Sequence, residues 1–327
     1  MNSKNVRYAF SSSVAAAMLA GCGGSQPPIG APGAMPQSRA IATHAGSGGS
    51  WMLPEAKSEE LVYLAGDGKS YVVSYRTGKL VGMIDNGAGG VCSDANGNVF
   101  LTTPNAVYEY AHGGTTPIAS FSVAGDTNSC SVDPATGNLA VTVFDGSGGY
   151  NVAIFKDASG PPTTYSDDID LPYCGYDKNG NLFTDGFGSS GTALTELPAG
   201  GGSFENITVS PSIALDPGTV QWDGRYITVE GGAGEVKRPP VIYRLRVSGS
   251  GARVIGTTRL KLRRPHFTAQ LSWIQGGAIL APFSSPGHGL ASNFGVWPYP
   301  RGGKPLMFFK KFNSYLNGVT VSIVRAH

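Results

Sequence analysis

From residue 61 onward, apolar and polar positions alternate in runs of four to seven residues, and each run stops at a cluster of Gly, Asn, Asp or Pro. Period-two alternation over such lengths marks half-buried strands, and no stretch carries the i, i+3, i+4 spacing of an amphipathic helix. In Val107-Tyr108-Glu109-Tyr110, for instance, one face of the strand is aromatic. The punctuation repeats. Asp94-Ala95-Asn96-Gly97-Asn98 returns as Asp133-Pro134-Ala135-Thr136-Gly137-Asn138 and as Asp177-Lys178-Asn179-Gly180-Asn181. Each copy follows a run containing Cys92, Cys130 or Cys174 and precedes an apolar strand. Asp accepts the backbone N–H two residues on, while Gly and Asn tolerate positive φ, so the motif is a tight turn between antiparallel strands.

Aligned on the turn glycine, the chain gives Gly97, Gly137, Gly180, Gly224 and Gly277, at intervals of 40, 43, 44 and 53 residues. A period of roughly 40 to 50 residues holding about four strands predicts β-propeller blades. The second blade is the clearest, with residues 90–94 innermost, then 99–103, 106–111 and 117–123. Residues 61–64, 71–75 and 79–84 supply three strands without an innermost partner, and residues 318–324 supply an innermost strand with nothing after it. Pairing the two ends closes the ring without an open edge and predicts an all-β, six-bladed propeller spanning residues 57–327. Five or seven blades remain open, because the 53-residue interval has room for an irregular blade. This pattern resembles six-bladed propellers of the NHL-repeat, streptogramin-lyase and gluconolactonase kind, whose inner strand often runs into an Asp-x-x-Gly-Asn turn. The resemblance is architectural, and one fold serves many functions.

Composition changes the picture mainly at the N-terminus. Only 14% of the 327 residues are charged, and 48 Gly with 22 Pro favour strands and turns over helices. Residues 1–21 have a short polar start with Lys4 and Arg7, a weakly apolar run too short to span a bilayer, and the sequence Leu19-Ala20-Gly21-Cys22. That tetrapeptide resembles the bacterial lipobox. The resemblance implies a signal peptide ending at residue 21, acylation of Cys22 with fatty acids such as palmitate, and a mature chain held at the cell envelope. Gly23 in place of Asp is compatible with export to the outer membrane, and the outer leaflet of the inner membrane is the other address. Residues 22–56, rich in Gly, Pro and Ser, read as a flexible tether, with Trp51, Met52 and Leu53 marking where the chain docks on the folded domain. The formal net charge of +2 hides a split, −10 over residues 1–216 and +12 over residues 217–327. The second half is therefore the side expected to meet an anionic partner.

Several constellations bear on chemistry. Asp94-x-Asn96-x-Asn98 and its copy at Asp177 begin like calcium loops, but the twelfth place falls on Asn105 and Gly188 instead of a bidentate Glu. Gly186-Phe187-Gly188-Ser189-Ser190-Gly191 matches a dinucleotide fingerprint, yet a strand, not a helix N-terminus, is expected after it. Cys92, Cys130 and Cys174 sit at corresponding points of three inner strands. Packed blades lie about 10 Å apart, beyond disulfide reach, but strands converge near the axis. One bridge and three small buried side chains are thus both open readings. Asp145, Asp185 and Glu230 each end a second strand, placing three acids on one rim, where they are candidates for holding Ca2+ or another divalent cation. The gluconolactonase resemblance implies such a metal in the central channel. A lactonase or lyase reading pairs His266 with Glu230 as acid and base.

Arg244, Arg246, Arg259, Lys261 and Arg263 alternate along the fifth blade, with the last three expected in an outermost strand opposite Leu260 and Leu262. Alternating charge is the usual way to solvate a peripheral strand and discourage edge pairing; the same residues are also candidates for contacting a protein or an anionic envelope polymer, and expected export with no visible recognition helix argues against nucleic acid. The loops 231–240 and 283–292 fall on the acid rim, opposite the repeated turn, so this rim is where binding is expected. Trp222, Trp273, Trp297 and Tyr299 cluster in the same part of the sequence, where packing between blades explains aromatic residues as well as binding does. The favoured reading is a lipid-anchored, non-enzymatic binding or scaffold propeller, and the competing one is a metal-dependent lactonase or lyase. The lining of the axial channel separates them. Converging Asp, Glu, Asn and His side chains would favour the enzyme, whereas Ser, Cys, Gly and aliphatic residues would favour the binder.

Overall fold

The computed structural model describes residues 37–40, 49–146, 149–231, 240–262, 271–284, 291–310 and 312–324. Arg263, His266, Cys22 and most of the two long loops lie outside these residues.

Six sheets, antiparallel through their four inner strands, are arranged as six blades. In blade two, Gly90–Ser93 is innermost, followed by Val99–Thr103, Ala106–Tyr110 and Pro117–Ser122. Blade three has inner strand Asp126–Val132, blade four Asp170–Tyr176, blade five Leu215–Trp222 and blade six Trp273–Gln275. Blade one closes the circle, because Leu316–Ser322 pairs antiparallel with Leu61–Gly66, Val319 opposite Leu64 and Val321 opposite Val62. Each inner strand packs against those of the two neighbouring blades, around the full ring.

The pattern that predicted the strands also fills the space between them. Leu61, Tyr63, Val72 and Val91 pack in the seam between blades one and two, and Phe100, Val141 and Phe155 in the next. Between blades six and one lie Val62, Leu64, Leu280, Phe294 and Phe309, the last two rings stacked at 5.5 Å. Burying a side chain of this size stabilises by about 1.5–3 kcal/mol, so the seams hold the ring together.

Three features depart from the sequence reading. Two blades carry a fifth, parallel strand: Thr208–Ser210 lies outside Gly251–Arg259 in blade five, and Gln37–Ala40 lies outside Met307–Lys310 in blade six. Trp51–Met52 adds to the outer edge of blade one, where the sequence placed the docking of the chain, but residues 37–40 put an earlier part of the expected tether on the propeller as well. The strand expected to carry Arg259, Lys261 and Arg263 ends at Arg259. There the chain leaves blade five: Gly303 N–H donates to Arg259 O at 2.9 Å and Lys261 N–H to Gly303 O at 2.8 Å, which carries Leu260 into the core beside Trp297.

Candidate functional site

The repeated turns form as their chemistry dictates. Asp94 Oδ1 accepts the N–H of Asn96 at 2.8 Å and of Asn98 at 2.7 Å, and Asp177 repeats the arrangement at 2.8 and 3.0 Å. Asp223 caps its turn through the N–H groups of Arg225 and Tyr226 at 2.8 and 2.7 Å. Gly97 sits at φ +87°, and a Cβ there would lie 2.7 Å from Ile323 O, so the turn also needs glycine for the close approach of the closing strand. All these turns fall on one face of the ring, which we call the turn face.

The axial channel opens on that face as a cavity of about 520 Å³. Its rim carries Asp94, Pro134, Asp223 and Tyr299, and its wall is made by the inner strands of all six blades. Toward the opposite face, Leu271 lies across the channel: a Cβ at Gly318 would be 3.0 Å from its side chain and one at Gly90 3.2 Å. The sequence reading placed binding on the acid rim, whose two long loops lie mostly outside the described residues; among the described residues the cavity opens on the turn face.

Polar side chains of the inner strands are spent on their neighbours. Ser93 Oγ donates to Val321 O at 2.9 Å across the first seam. Across the second, Cys92 and Cys130 form a disulfide with Cα atoms 5.7 Å apart. Ser129 and Ser131 Oγ accept the N–H groups of Cys174 at 3.4 Å and Tyr176 at 3.1 Å across the third. At the fourth, Gly218 N–H donates to Asp185 at 3.2 Å, and a Cβ on Gly175 would lie 2.1 Å from Val220 O. Gln221 spans the fifth with two bonds, accepting from Ile274 N–H at 2.7 Å and donating to Ile274 O at 3.0 Å. Tyr75 OH reaches Gln275 O at 3.3 Å across the sixth. Of the two readings of the cysteines, the geometry selects one bridge with Cys174 as a buried thiol, whose pKa burial pushes up to about 12.

The three rim acids do not share an environment. Asp145 is exposed and accepts the N–H of Gly149 at 3.0 Å, whereas Asp185 and Glu230 are 1% and 2% exposed. Burial pushes the Asp185 carboxyl well above the ordinary carboxylate range; the Gly218 N–H opposes this, while Glu230 and Asp216 nearby add to it. Among the described residues no group of three or more His, Cys, Asp and Glu side chains is placed to hold a metal ion. His112 has a structural place: Nε2 lies 3.1 and 3.0 Å from the carbonyls of Ala56 and Glu59, and Nδ1 lies 2.6 Å from Ser322 Oγ. Burial lowers its pKa.

The basic residues of blade five fall into two groups. Arg244 is half-buried with its guanidinium 5.9 Å from the Tyr299 ring centre, and Arg246 lies 5.8 Å from that of Tyr226. Arg259, paired in register with Val241, is exposed at the other end of the blade beside Lys261. Strand rise of about 3.3 Å per residue separates the two groups by roughly 15 Å. The clustered aromatics also divide. Trp297 is fully buried in the core between blades five and six, whereas Trp222, Trp273 and Tyr299 are half-buried and line the cavity. Tyr299 OH donates to Asp223 Oδ2, tying the third strand of blade six to the turn of blade five.

No family model matches this chain, and no curated protein matches it. Solved structures do. A protein of unknown function from Bacteroides caccae aligns with a TM-score of 0.59 at 13% identity, covering 81% of this chain and 99% of that one. A TolB-like protein of Agrobacterium tumefaciens aligns with a TM-score of 0.53 at 12% identity, covering 81% and 97%. At such identities the likeness is one of fold: this chain is a six-bladed β-propeller.

Proposed function

We propose that the protein is a lipid-anchored, extracytoplasmic propeller that binds an envelope ligand without transforming it. The observation that carries the reading is the channel wall. Ser93, Ser129, Ser131 and Gln221 bond to neighbouring strands, and Val91, Val220 and Ile274 fill the spaces between them, with no acid and base converging on the axis among the described lining residues. A rigid, concave, mostly apolar cavity with a few polar groups is suited to holding a ligand. The Cys92–Cys130 disulfide supports an oxidising compartment outside the cytoplasm. Acylated Cys22 would supply the anchor at about 0.8 kcal/mol per buried CH2, and no helix among the described residues is long and apolar enough to cross a membrane. The exposed Arg246, Arg259 and Lys261 add positive charge that would face an anionic surface or partner.

The anchor is tested by growing the expressing bacterium with a labelled fatty acid. Label is expected on the wild-type chain and its persistence on Cys22→Ala would refute the anchor. Non-catalysis is tested by incubating the purified protein with gluconolactone and other lactones, with and without Ca2+; hydrolysis above the buffer rate would refute the binding reading.

A further inference from the structure

We infer that the mouth of the axial channel on the turn face takes an uncharged saccharide, stacked on Trp222 and Trp273; this rests on the binding reading above. Three observations converge on that chemistry. First, the described lining residues include no Lys, Arg or His, and the two acids present, Asp94 and Asp223, already accept the N–H groups of their own turns. Among the described residues the site therefore offers no cation to an anionic ligand, and its carboxylates are spoken for.

Second, Trp222, Trp273 and Tyr299 bring half-exposed aromatic surface to one side of the cavity, on blades five and six. A pyranose ring has one apolar face of C–H groups that packs on an indole and a hydroxyl perimeter that needs hydrogen-bond partners; aromatic side chains of this kind are built for ligands with one apolar side and one wet side. Gln275 supplies a polar group beside them: its Oε1 lies 3.4 Å from Trp273 Nε1, and its amide nitrogen is a further donor.

Third, the rim is low on that side. Gly224, Gly276 and Gly277 are exposed, and no heavy atom lies within 4 Å of a Cβ built at Gly224. A chain of sugars can thus leave the cavity across the backbone of blades five and six, while Leu271 limits how far it enters. The volume of about 520 Å³ suits one to three sugar residues inside the mouth.

The test is calorimetric titration of the full-length protein with maltohexaose, cellohexaose and hexa-N-acetylchitohexaose, with an oligogalacturonate as the anionic counterpart. Saturable binding of at least one uncharged hexasaccharide is expected, weakened about tenfold by Trp222→Ala or Trp273→Ala and largely restored by Trp222→Phe. Because an indole truncation can disturb the fold, Ala95→Arg is measured as well; it extends a side chain over the mouth from an exposed turn position and is expected to block binding with the melting temperature unchanged. No binding of any uncharged sugar at millimolar concentration, preference for the oligogalacturonate, or binding indifferent to all of these substitutions would overturn the inference. Appearance of shortened sugars in the same samples would overturn the non-catalytic reading while leaving the ligand class in place, so the two failures are distinguishable.

Discussion

The Cys92–Cys130 bridge offers a perturbation whose size follows from chain statistics. It joins inner strands of blades two and three and closes a loop spanning 38 positions of the chain. Cross-linking a loop of that length removes entropy from the unfolded ensemble worth about 4 kcal/mol at 25 °C. For a domain of this size each kcal/mol moves the melting temperature by about 2 to 4 °C. The double variant Cys92→Ala/Cys130→Ala, or the wild type under reductant, is therefore expected to melt roughly 8 to 16 °C below the oxidised protein. The change should act on the unfolded state, because Phe100, Phe121 and Phe155 still pack in the same seam. Differential scanning calorimetry with and without reductant reads the shift, and thiol counting in denaturant reads its cause: reduction should add two reactive thiols. Identical melting temperatures with two thiols gained would refute the entropic argument. An unchanged thiol count would refute the bridge.

Three further predictions concern the seams. Gln221→Leu keeps the volume but strips the two bonds from Ile274, which should lower stability by about 2 kcal/mol, read as a shifted urea midpoint with an unchanged slope. His112 is held neutral by burial, so its folded-state pKa lies below the unfolded value of about 6.5. The stability it contributes is present above that pH and lost as the pH falls below it, and the gap between wild type and His112→Ala should shrink between pH 8 and pH 5 in thermal melts. Asp185 has the opposite sign: its folded-state pKa is raised, so its contribution falls as pH rises above about 4 toward the raised value. Asp185→Asn keeps an acceptor for Gly218 N–H and should flatten that decline; an unchanged pH profile would show that the carboxyl is not the group responsible.

The ring was legible because its ruler is local. An Asp that caps its own turn and a Gly at positive φ leave a mark in the sequence, and the closing pair of strands follows once every other edge is paired. Blade two matches its expected strands to within a residue. The added strands Thr208–Ser210 and Gln37–Ala40 left no such mark, since a short polar segment held at a sheet edge by backbone bonds needs no hydrophobic period. The alternation of Arg259, Leu260, Lys261 and Leu262 did describe exposure, with Leu260 fully buried between exposed neighbours, but not the strand, because the chain had crossed to Gly303. How far Leu271 reaches into the channel between blades one and two is a distance that no spacing encodes. For the same reason Trp297 and Trp222 look alike in the sequence, although one fills the core and the other lines the cavity.

The four tryptophans make the central claim directly measurable. Trp222 and Trp273 line the channel mouth, Trp297 is buried in the core, and Trp51 lies in the added edge strand of blade one. In a 1H–15N spectrum of the indole groups, titration with the best-binding uncharged hexasaccharide is predicted to move the Trp222 and Trp273 signals together and to leave those of Trp51 and Trp297 in place, with the sugar recovered intact. Unmoved Trp222 and Trp273 signals at saturating sugar, or sugar recovered in fragments, would contradict the account.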